Sequence, residues 1–420
     1  MAWRFVIAAA LLGSALHRAK AQTPPMPASA IAPTPDGPIT VTLVTFGLGQ
    51  EVFERFGHNA LWFHDATTPQ DAAYHWGLFS FNEPKFLLRF LTGDNNYWMG
   101  AEDARLLIES NRSKGRPVTL QRLNLSPAQA LQLRDFARWN AREEHKFYRY
   151  AYFDDNCSTR LRDALDNVLG GAIRRATDTV RTSTSYRSES IRLTDGNKPV
   201  QAGIDVALGR PADAHLTRWQ SFFIPMRLRD AVRNIHVQDA SGAIVPLVAD
   251  EQVVALPPGA IPVPERLEVP NLVPRYALLG LLIAALVVVL RVMMLSRRSA
   301  AWGLALLGSS WSLLCGLLGV ILLLAWSATK HVFWAWNENL LLLTPLSLVL
   351  VMLLPAAILS QRHERAARMI AAVIAVLSLV ALLLAVLPGG QENLAIVGLL
   401  LPVHLAFAWA LALPRTVAPA

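Results

Sequence analysis

The sequence predicts an α+β extracytoplasmic domain followed by a five-helix transmembrane α-bundle. Three observations carry this prediction. The N-terminus has the charged, greasy and small-residue parts of a leader, strand-like and helical segments mix up to about residue 240, and five long apolar runs crowd into residues 275–413. With 53% hydrophobic and only 17% charged residues among 420, the chain is too apolar for one ordinary water-soluble domain.

Arg4, the apolar stretch Phe5 to Leu16 and the run Ala19-Lys20-Ala21 read as a secretory signal cleaved after Ala21. Retention as an uncleaved anchor is the alternative, although the apolar stretch is short for a full span. Residues 22–38 then form a Pro/Ala-rich tether, and residues 39–240 the extracytoplasmic domain. Prolines crowd residues 241–274, which predicts an extended connector.

The five candidate spans are 275–295, 302–326, 340–360, 367–387 and 393–413, with a short tail at 414–420. Arg297 and Arg298 follow the first span, Arg362, Arg365 and Arg368 the third, and Arg415 the fifth, whereas Leu387 to Asn393 carries no Lys or Arg. Basic loops stay cytoplasmic, so the start of the first span, the 327–339 loop and the domain before them face the other side. The signal and the loop charges thus give one topology. The net charge of +8 finds its counterpart in anionic lipid headgroups, and no motif supports a nucleic-acid partner.

Within the domain, Ile39 to Phe46, His58 to His64 and Ala73 to Phe79 read as strands, with a polar turn at residues 65–71 between the last two. Ser126-Pro127 opens a helix with a cap and a first-turn proline. A second helix starts near Cys157, carries Leu161, Ala164, Leu165, Val168 and Leu169 at helical spacing, and stops at Gly170-Gly171.

Only two cysteines occur, at 157 and 315, and Cys315 lies inside an apolar run, so neither a disulfide framework nor a pair is expected. Cys157 stands at the first turn of its helix, where unpaired N–H groups and the helix dipole favour a thiolate and can receive an oxyanion. Asp154 and Asp155 oppose this unless they turn away to cap the helix, which is the expectation. Residue chemistry alone allows either a nucleophile or a small buried hydrophobe here.

A nucleophilic thiol needs an imidazole to take its proton. His58, at the head of a strand after Arg55-Phe56-Gly57, is the preferred base. If the hairpin turns at Ala66-Thr67, His75 lies opposite His58 on the same face and can orient it; a different register or a locally bonded His75 is the alternative. A zinc site is disfavoured because His58 and His64 on one straight strand stand about 20 Å apart. No metal or cofactor is expected. Beyond the domain, His331, Asn337 and Asn339 lie in a polar stretch leading into Leu340-Leu341-Leu342, which marks a candidate headgroup or acceptor element or, more simply, a solvated loop.

A histidine in Gly57-His58-Asn59, followed about a hundred residues later by Asn156-Cys157 at a helix start, resembles the permuted papain-like group that includes NlpC/P60-related enzymes and lecithin–retinol acyltransferases. The closer resemblance is to Lnb-type lipoprotein N-acyltransferases. It is carried by Phe56-Gly57-His58-Asn59-Ala60, Asp155-Asn156-Cys157-Ser158-Thr159-Arg160-Leu161-Arg162-Asp163, Tyr186-Arg187, Leu208-Gly209-Arg210-Pro211-Ala212-Asp213, Thr329-Lys330-His331 and Asn337-Glu338-Asn339-Leu340-Leu341. The resemblance implies a papain-like domain in the periplasm of a bacterium, tied to the inner membrane. It implies Cys157 as nucleophile and His58 as base, with His75 as the third residue if the hairpin register above holds, and Tyr152, Asn156 and Asn59 around the oxyanion or substrate.

The reaction so implied moves an acyl chain from a membrane phospholipid, through a Cys157 thioester, to the N-terminal amine of a lipidated apolipoprotein. Two other readings compete with it. A cysteine peptidase or amidase acting on cell-wall peptide would use the same residues, but one anchor would serve it where five spans are found. A transporter or scaffold would be expected to place ionisable residues at mid-depth, whereas the charges here are confined almost entirely to loops.

Overall fold

The computed structural model describes residues 39–65, 71–239 and 241–413. The expected signal, the tether, most of the turn at 65–71 and the tail at 414–420 lie outside the described residues. The chain forms two compact units: one of residues up to Gly196 with His215–Leu267, the other of Asn197–Ala214 with the residues from Glu268 onward.

The first unit is built on a seven-stranded antiparallel sheet of order β6-β4-β3-β2-β1-β5-β9. Its members in chain order are β1 (Ile39–Phe46), β2 (His58–Asp65), β3 (Ala72–Leu78), helix α1 (Phe86–Thr92), β4 (Asn96–Asp103), α2 (Ala104–Ser113), β5 (Val118–Leu123), α3 (Pro127–Asn140), β6 (Phe147–Arg149), α4 (Cys157–Val168) and α5 (Tyr186–Leu193). A small hairpin of β7 (His236–Gln238) and β8 (Ile244–Pro246) leads into β9 (Val248–Val254).

Side chains alternate between two cores, as strand geometry requires. Val41, Leu43, Leu61, Phe63, Tyr74 and Trp76 pack with Leu133 of α3 and with Leu161 and Leu165 of α4. Val44, Phe46, Ala60 and Ala73 face the other way, onto Ala104 and Leu107 of α2. The mixed α+β class is thus what the structure shows, with both sheet faces covered.

Local chemistry fixes the two helices under the sheet. Ser126 caps α3 in a capping box with Gln129, and Pro127 fills the first turn. Asn156, and not either aspartate, caps α4: its Oδ1 accepts from the N–H groups of Ser158 and Thr159, both at 2.9 Å. Gly170 and Gly171 end that helix in the left-handed region, at φ 60° and 84°.

Two boundaries differ from the sequence reading. The domain does not stop near residue 240, because β9 pairs along β5 from Leu123↔Val248 to Val118↔Val254 and completes the sheet edge. Its sequence, Val-Ala-Asp-Glu-Gln-Val-Val, is too polar to show a strand until the partner edge is known. The third apolar run is also shorter than expected. Residues Glu338–Leu341 form a 3₁₀ turn, and the helix proper spans only Ser347–Ser360. Pro345 disfavours helical backbone at Thr344, which separates the turn from the helix.

The second unit opens with α6 (Lys198–Ala207), followed by the apolar helices α7 (Val273–Met293), α8 (Arg298–Ala328), α9 (Ser347–Ser360), α10 (Glu364–Val386) and α11 (Leu394–Ala412). Four are long and apolar enough to cross a membrane, and α9, with 14 residues, is the exception. At about 1.5 Å per residue it reaches about 21 Å, short of a hydrocarbon core of about 30 Å. The bundle interior is less apolar than the sequence suggests. Arg291 donates to the carbonyls of Ala410 and Leu413, and His404 bonds Ser378 at 2.7 Å through Nδ1 with Cys315 Sγ 3.9 Å from its Nε2.

The segment 197–214, which precedes β9 in sequence, is clasped by polar groups of the second unit's own loops. Asn337 Nδ2 donates to the carbonyls of Val206 and Ala207 at 2.9 and 3.0 Å, Asn339 Nδ2 donates to Val206 O at 3.1 Å, and Gln391 Nε2 donates to Leu208 O at 3.2 Å. Gly209 N–H donates to Phe333 O at 2.8 Å, and a Cβ at Gly209 would stand 2.0 Å from Ala335 O. Gly209→Ala is therefore expected to cost about 1–3 kcal/mol through this clash. A lowered thermal midpoint of the detergent-solubilised protein checks it, and an unchanged midpoint would show that the clasp yields freely.

Candidate active site

Cys157 is delivered to one end of the sheet by the capped start of α4. Asn156 fixes that start on both sides: besides capping the helix, its Nδ2 donates to Tyr152 O at 2.9 Å and Phe223 O at 2.8 Å. Every hydrogen-bonding position of its amide, expected to face oxyanion or substrate, is engaged within the protein. The aspartates are also accounted for. Asp155 forms a paired ion contact with Arg160, and Asp154 accepts from the Tyr186 hydroxyl at 3.3 Å while Tyr186 stacks on Phe153. Tyr186 thus holds the segment leading to Cys157.

The strand end that receives Cys157 is shaped by Gly77. It has φ 89°, and β3 departs from regular pairing with β4 between His75 and Leu78. A Cβ at Gly77 would lie 3.2 Å from Cys157 Cβ and 3.5 Å from Tyr150 Cε2. Asn59, at the start of β2, meets α4 from the other side: its backbone N–H faces the Cys157 sulfur, and its Nδ2 donates to Ser158 Oγ at 3.2 Å.

His58 lies next to Asn59, with its ring stacked over Phe46. The β2–β3 register is Leu61↔Tyr74, two residues away from the one expected from a turn at Ala66-Thr67. A shift of two keeps the face, so His75 still meets His58 on a diagonal, with His58 Nε2 2.8 Å from His75 Nδ1. On its other nitrogen, His75 Nε2 stands 3.3 Å from Glu102 Oε1 of β4, an electrostatic contact that lacks the angle of a strong hydrogen bond. His75 holds the Glu102 carboxyl below its ordinary value, against the opposing effect of partial burial.

These contacts decide the tautomers. A carboxylate at His75 Nε2 favours a proton there, so His75 Nδ1 presents a lone pair and His58 Nε2 must donate to it. His58 Nδ1 is then the bare nitrogen, the form a base requires. Among the described residues no hydrogen bond joins it to the Cys157 sulfur, and the His58 ring is held through Nε2 by His75.

Burial sets both resting charges. It pushes the Cys157 thiol up to about 11, opposed by the N–H groups of Asn59 and Ser158 and by the Arg116 guanidinium. It pulls His58 well below its ordinary value, helped by His75 and Arg116. The pair therefore rests as neutral thiol and neutral imidazole at pH 7, and the helix dipole does not produce the resting thiolate expected of it. Cys157 is only 7% exposed, so the buried and the reactive readings of this residue describe one geometry.

Arg116, Glu102 and Tyr150 were invisible to sequence reasoning. Arg116 is buried, donates twice to Gly47 O and once to Asn111 Oδ1, and has Glu54 Oε1 at 3.6 Å. No periodicity marks it. Tyr150, and not Tyr152, is the tyrosine beside Gly77 and Cys157; the Tyr152 hydroxyl instead meets Asn95 at 3.5 Å. The remaining candidates belong to the second unit. Asn337 and Asn339 are buried in the clasp, with Asn339 Oδ1 accepting from Asn393 at 2.8 Å, and His331 stacks on Trp334. The amides of Asn337 and Asn339, expected to face a headgroup or acceptor, are thereby bonded to the protein's own backbone and to Asn393. Among the described residues no three His, Cys, Asp or Glu side chains gather as metal ligands.

A cysteine at a helix start, beside a strand histidine backed by a second histidine and a carboxylate, in a domain joined to apolar helices, defines a membrane protein with a cysteine–histidine site. Residues 37–188 match the family description "Lnb N-terminal periplasmic domain" and residues 271–415 match "Lnb transmembrane domain". Together these matches cover well over half of the chain, and it belongs to the Lnb family: a membrane protein with a periplasmic domain. No curated protein and no solved structure matches it.

A neutral resting thiol has a measurable signature. With Cys157 near 11, its alkylation by iodoacetamide, followed by peptide mass spectrometry in a Cys315→Ala background, is expected to rise about tenfold per pH unit between pH 7 and 9 and still to be climbing above that. A plateau reached by pH 8 would contradict the desolvated thiol.

Proposed function

We propose that this chain is a lipoprotein N-acyltransferase in which Cys157 carries the acyl group. His58 Nδ1 takes the thiol proton as the sulfur attacks the ester carbonyl of a phospholipid. The tetrahedral oxyanion is received by the backbone N–H groups of Asn59 and Cys157, which already face the sulfur. Collapse breaks the ester C–O bond, and the lysophospholipid leaves with the proton held by His58. The N-terminal amine of a lipidated apolipoprotein then attacks the thioester, His58 accepts the amine proton, and the thiol is restored as the amide forms.

The observation that carries this reading is the His58–His75 hydrogen bond at 2.8 Å beside the Asn59 contact to Cys157, in a chain whose residues 271–415 match a membrane domain of the same family. A neutral pair suits acyl transfer from an uncharged ester. The neutral thiol attacks only as His58 takes its proton, so it reacts slowly at neutral pH until a substrate is in place. Localisation in the inner membrane, with the domain in the periplasm, follows the loop charges and the family's periplasmic description.

Full-length protein in phospholipid vesicles, given acyl-labelled phospholipid and a peptide bearing a diacylglyceryl-cysteine N-terminus, tests the proposal. Label is expected on the peptide amine in a hydroxylamine-stable form. Cys157→Ser is expected to abolish transfer and His58→Ala to lower it by about 10²–10⁴. Free fatty acid released without labelled peptide would favour a hydrolase instead.

Glu102→Gln gives a separate readout, because Glu102 acts on the base through His75. Loss of the carboxylate removes a negative charge that favours the protonated His58, so the acid limb of kcat/KM is expected to move to lower pH while the rate falls about tenfold. A purely structural role for Glu102 would lower the yield of folded protein without moving that limb.

A further inference from the structure

The first unit carries an apolar surface that its own core does not use. In α1, the sequence Phe-Leu-Leu-Arg-Phe-Leu-Thr is almost wholly apolar, yet none of its residues is buried. Leu87, Leu88 and Leu91 are 67%, 57% and 51% exposed, and beside them Phe53 and Phe81 are 53% and 67% exposed. A helix of seven residues is marginal in water by itself, and this one has no side-chain cap and begins after Lys85 in the left-handed conformation. Exposed apolar side chains gathered on one short helix mark a contact surface.

A chain of ring contacts leads inward from this surface to the buried sulfur. Phe79 contacts Phe53 at 5.6 Å, Phe81 at 5.1 Å and Phe86 at 5.9 Å between ring centroids, and stacks on Tyr97 at 5.0 Å. Tyr97 stacks on Tyr150 at 4.4 Å, and Tyr150 borders Gly77 and Cys157. An unbroken aromatic strip therefore joins the exposed helix to the thiol. Its edge is cationic: Lys85 is exposed and has no ion pair among the described residues, while Arg89 lies 3.7 Å from Glu83.

We infer that α1 and the adjoining Phe53 and Phe81 dock on the surface of the bilayer that anchors the chain, and that the aromatic strip receives the donor's acyl chain there and guides its ester to Cys157. The inference rests on the acyl-transfer reading for its second half. An acyl chain matches the strip in being apolar and unbranched, and a lipid phosphate matches Lys85 at the rim. A cell-wall peptide or other polar substrate would leave the exposed leucines in water.

The test uses the full-length protein in nanodiscs. A polarity-sensitive fluorophore is placed at Leu88→Cys in a Cys157→Ser background, with Glu143→Cys on an exposed position as the control, and the lipids carry nitroxide on their acyl chains. Quenching at position 88 at least fivefold stronger than at 143 is expected, and equal quenching at the two overturns the docking. With Cys157 retained, Leu87→Ser/Leu88→Ser/Leu91→Ser is expected to lower the ratio of Cys157 acylation by vesicle phospholipid to acylation by a water-soluble short-chain ester at least tenfold. An unchanged ratio overturns the delivery role. If wild-type Cys157 accepts acyl groups from neither donor, the acyl-transfer reading itself fails, and the quenching result still decides whether α1 meets lipid.

Discussion

The candidate site depends on one constraint: the first turn of the Cys157 helix must be pressed closely against the end of a β-sheet. Gly77 makes the approach possible by having no Cβ where Cys157 arrives, and Asn156 holds the turn by joining its N–H groups to the carbonyls of Tyr152 and Phe223. Desolvation then does the electrostatic work. It raises the thiol and lowers the imidazole together, so that neither is charged at rest. Arg116, buried with Glu54, adds a fixed positive field that favours the thiolate and disfavours a charged His58. In the acyl-transfer mechanism we propose, the same field would favour the attacking thiolate and keep His58 neutral.

Much of this was legible in the sequence, and the reasons are local. The three leading strands and the helix at Cys157 announce themselves through alternation, turn residues and helical spacing. The pairing of His58 with His75 survives a register two residues from the one expected, because side chains alternate with a period of two and only an odd shift would have sent His75 to the other face. What stayed hidden required tertiary knowledge. Two aspartates beside Cys157 look like caps until Asp155 is seen paired with Arg160 and Asn156 in their place. Glu102 joins the relay only once β4 is known to lie beside β3, and β9 looks like connector until β5 offers it an edge.

In the membrane unit, polar residues that looked available for a substrate prove to be structural. Asn337, Asn339 and Gln391 close on the backbone of residues 206–208, and Gly209 fits beneath Ala335. A sequence motif in a loop next to an apolar run can mark a binding group or a buried joint, and only the partner atoms distinguish them. The joint ties a piece of chain that follows α5 to the loops between apolar helices. The candidate site and this joint thus lie in separate parts of the sequence, the first around 58, 75 and 157 and the second around 208 and 337.

The central claim is that the desolvated Cys157 takes up the acyl group. Its most direct test is peptide mass spectrometry of full-length protein incubated with phospholipid in the absence of any amine acceptor. An acyl mass on the peptide containing Cys157, removed by hydroxylamine, is the predicted result. Protein that transfers acyl groups while its Cys157 peptide never carries one would contradict it.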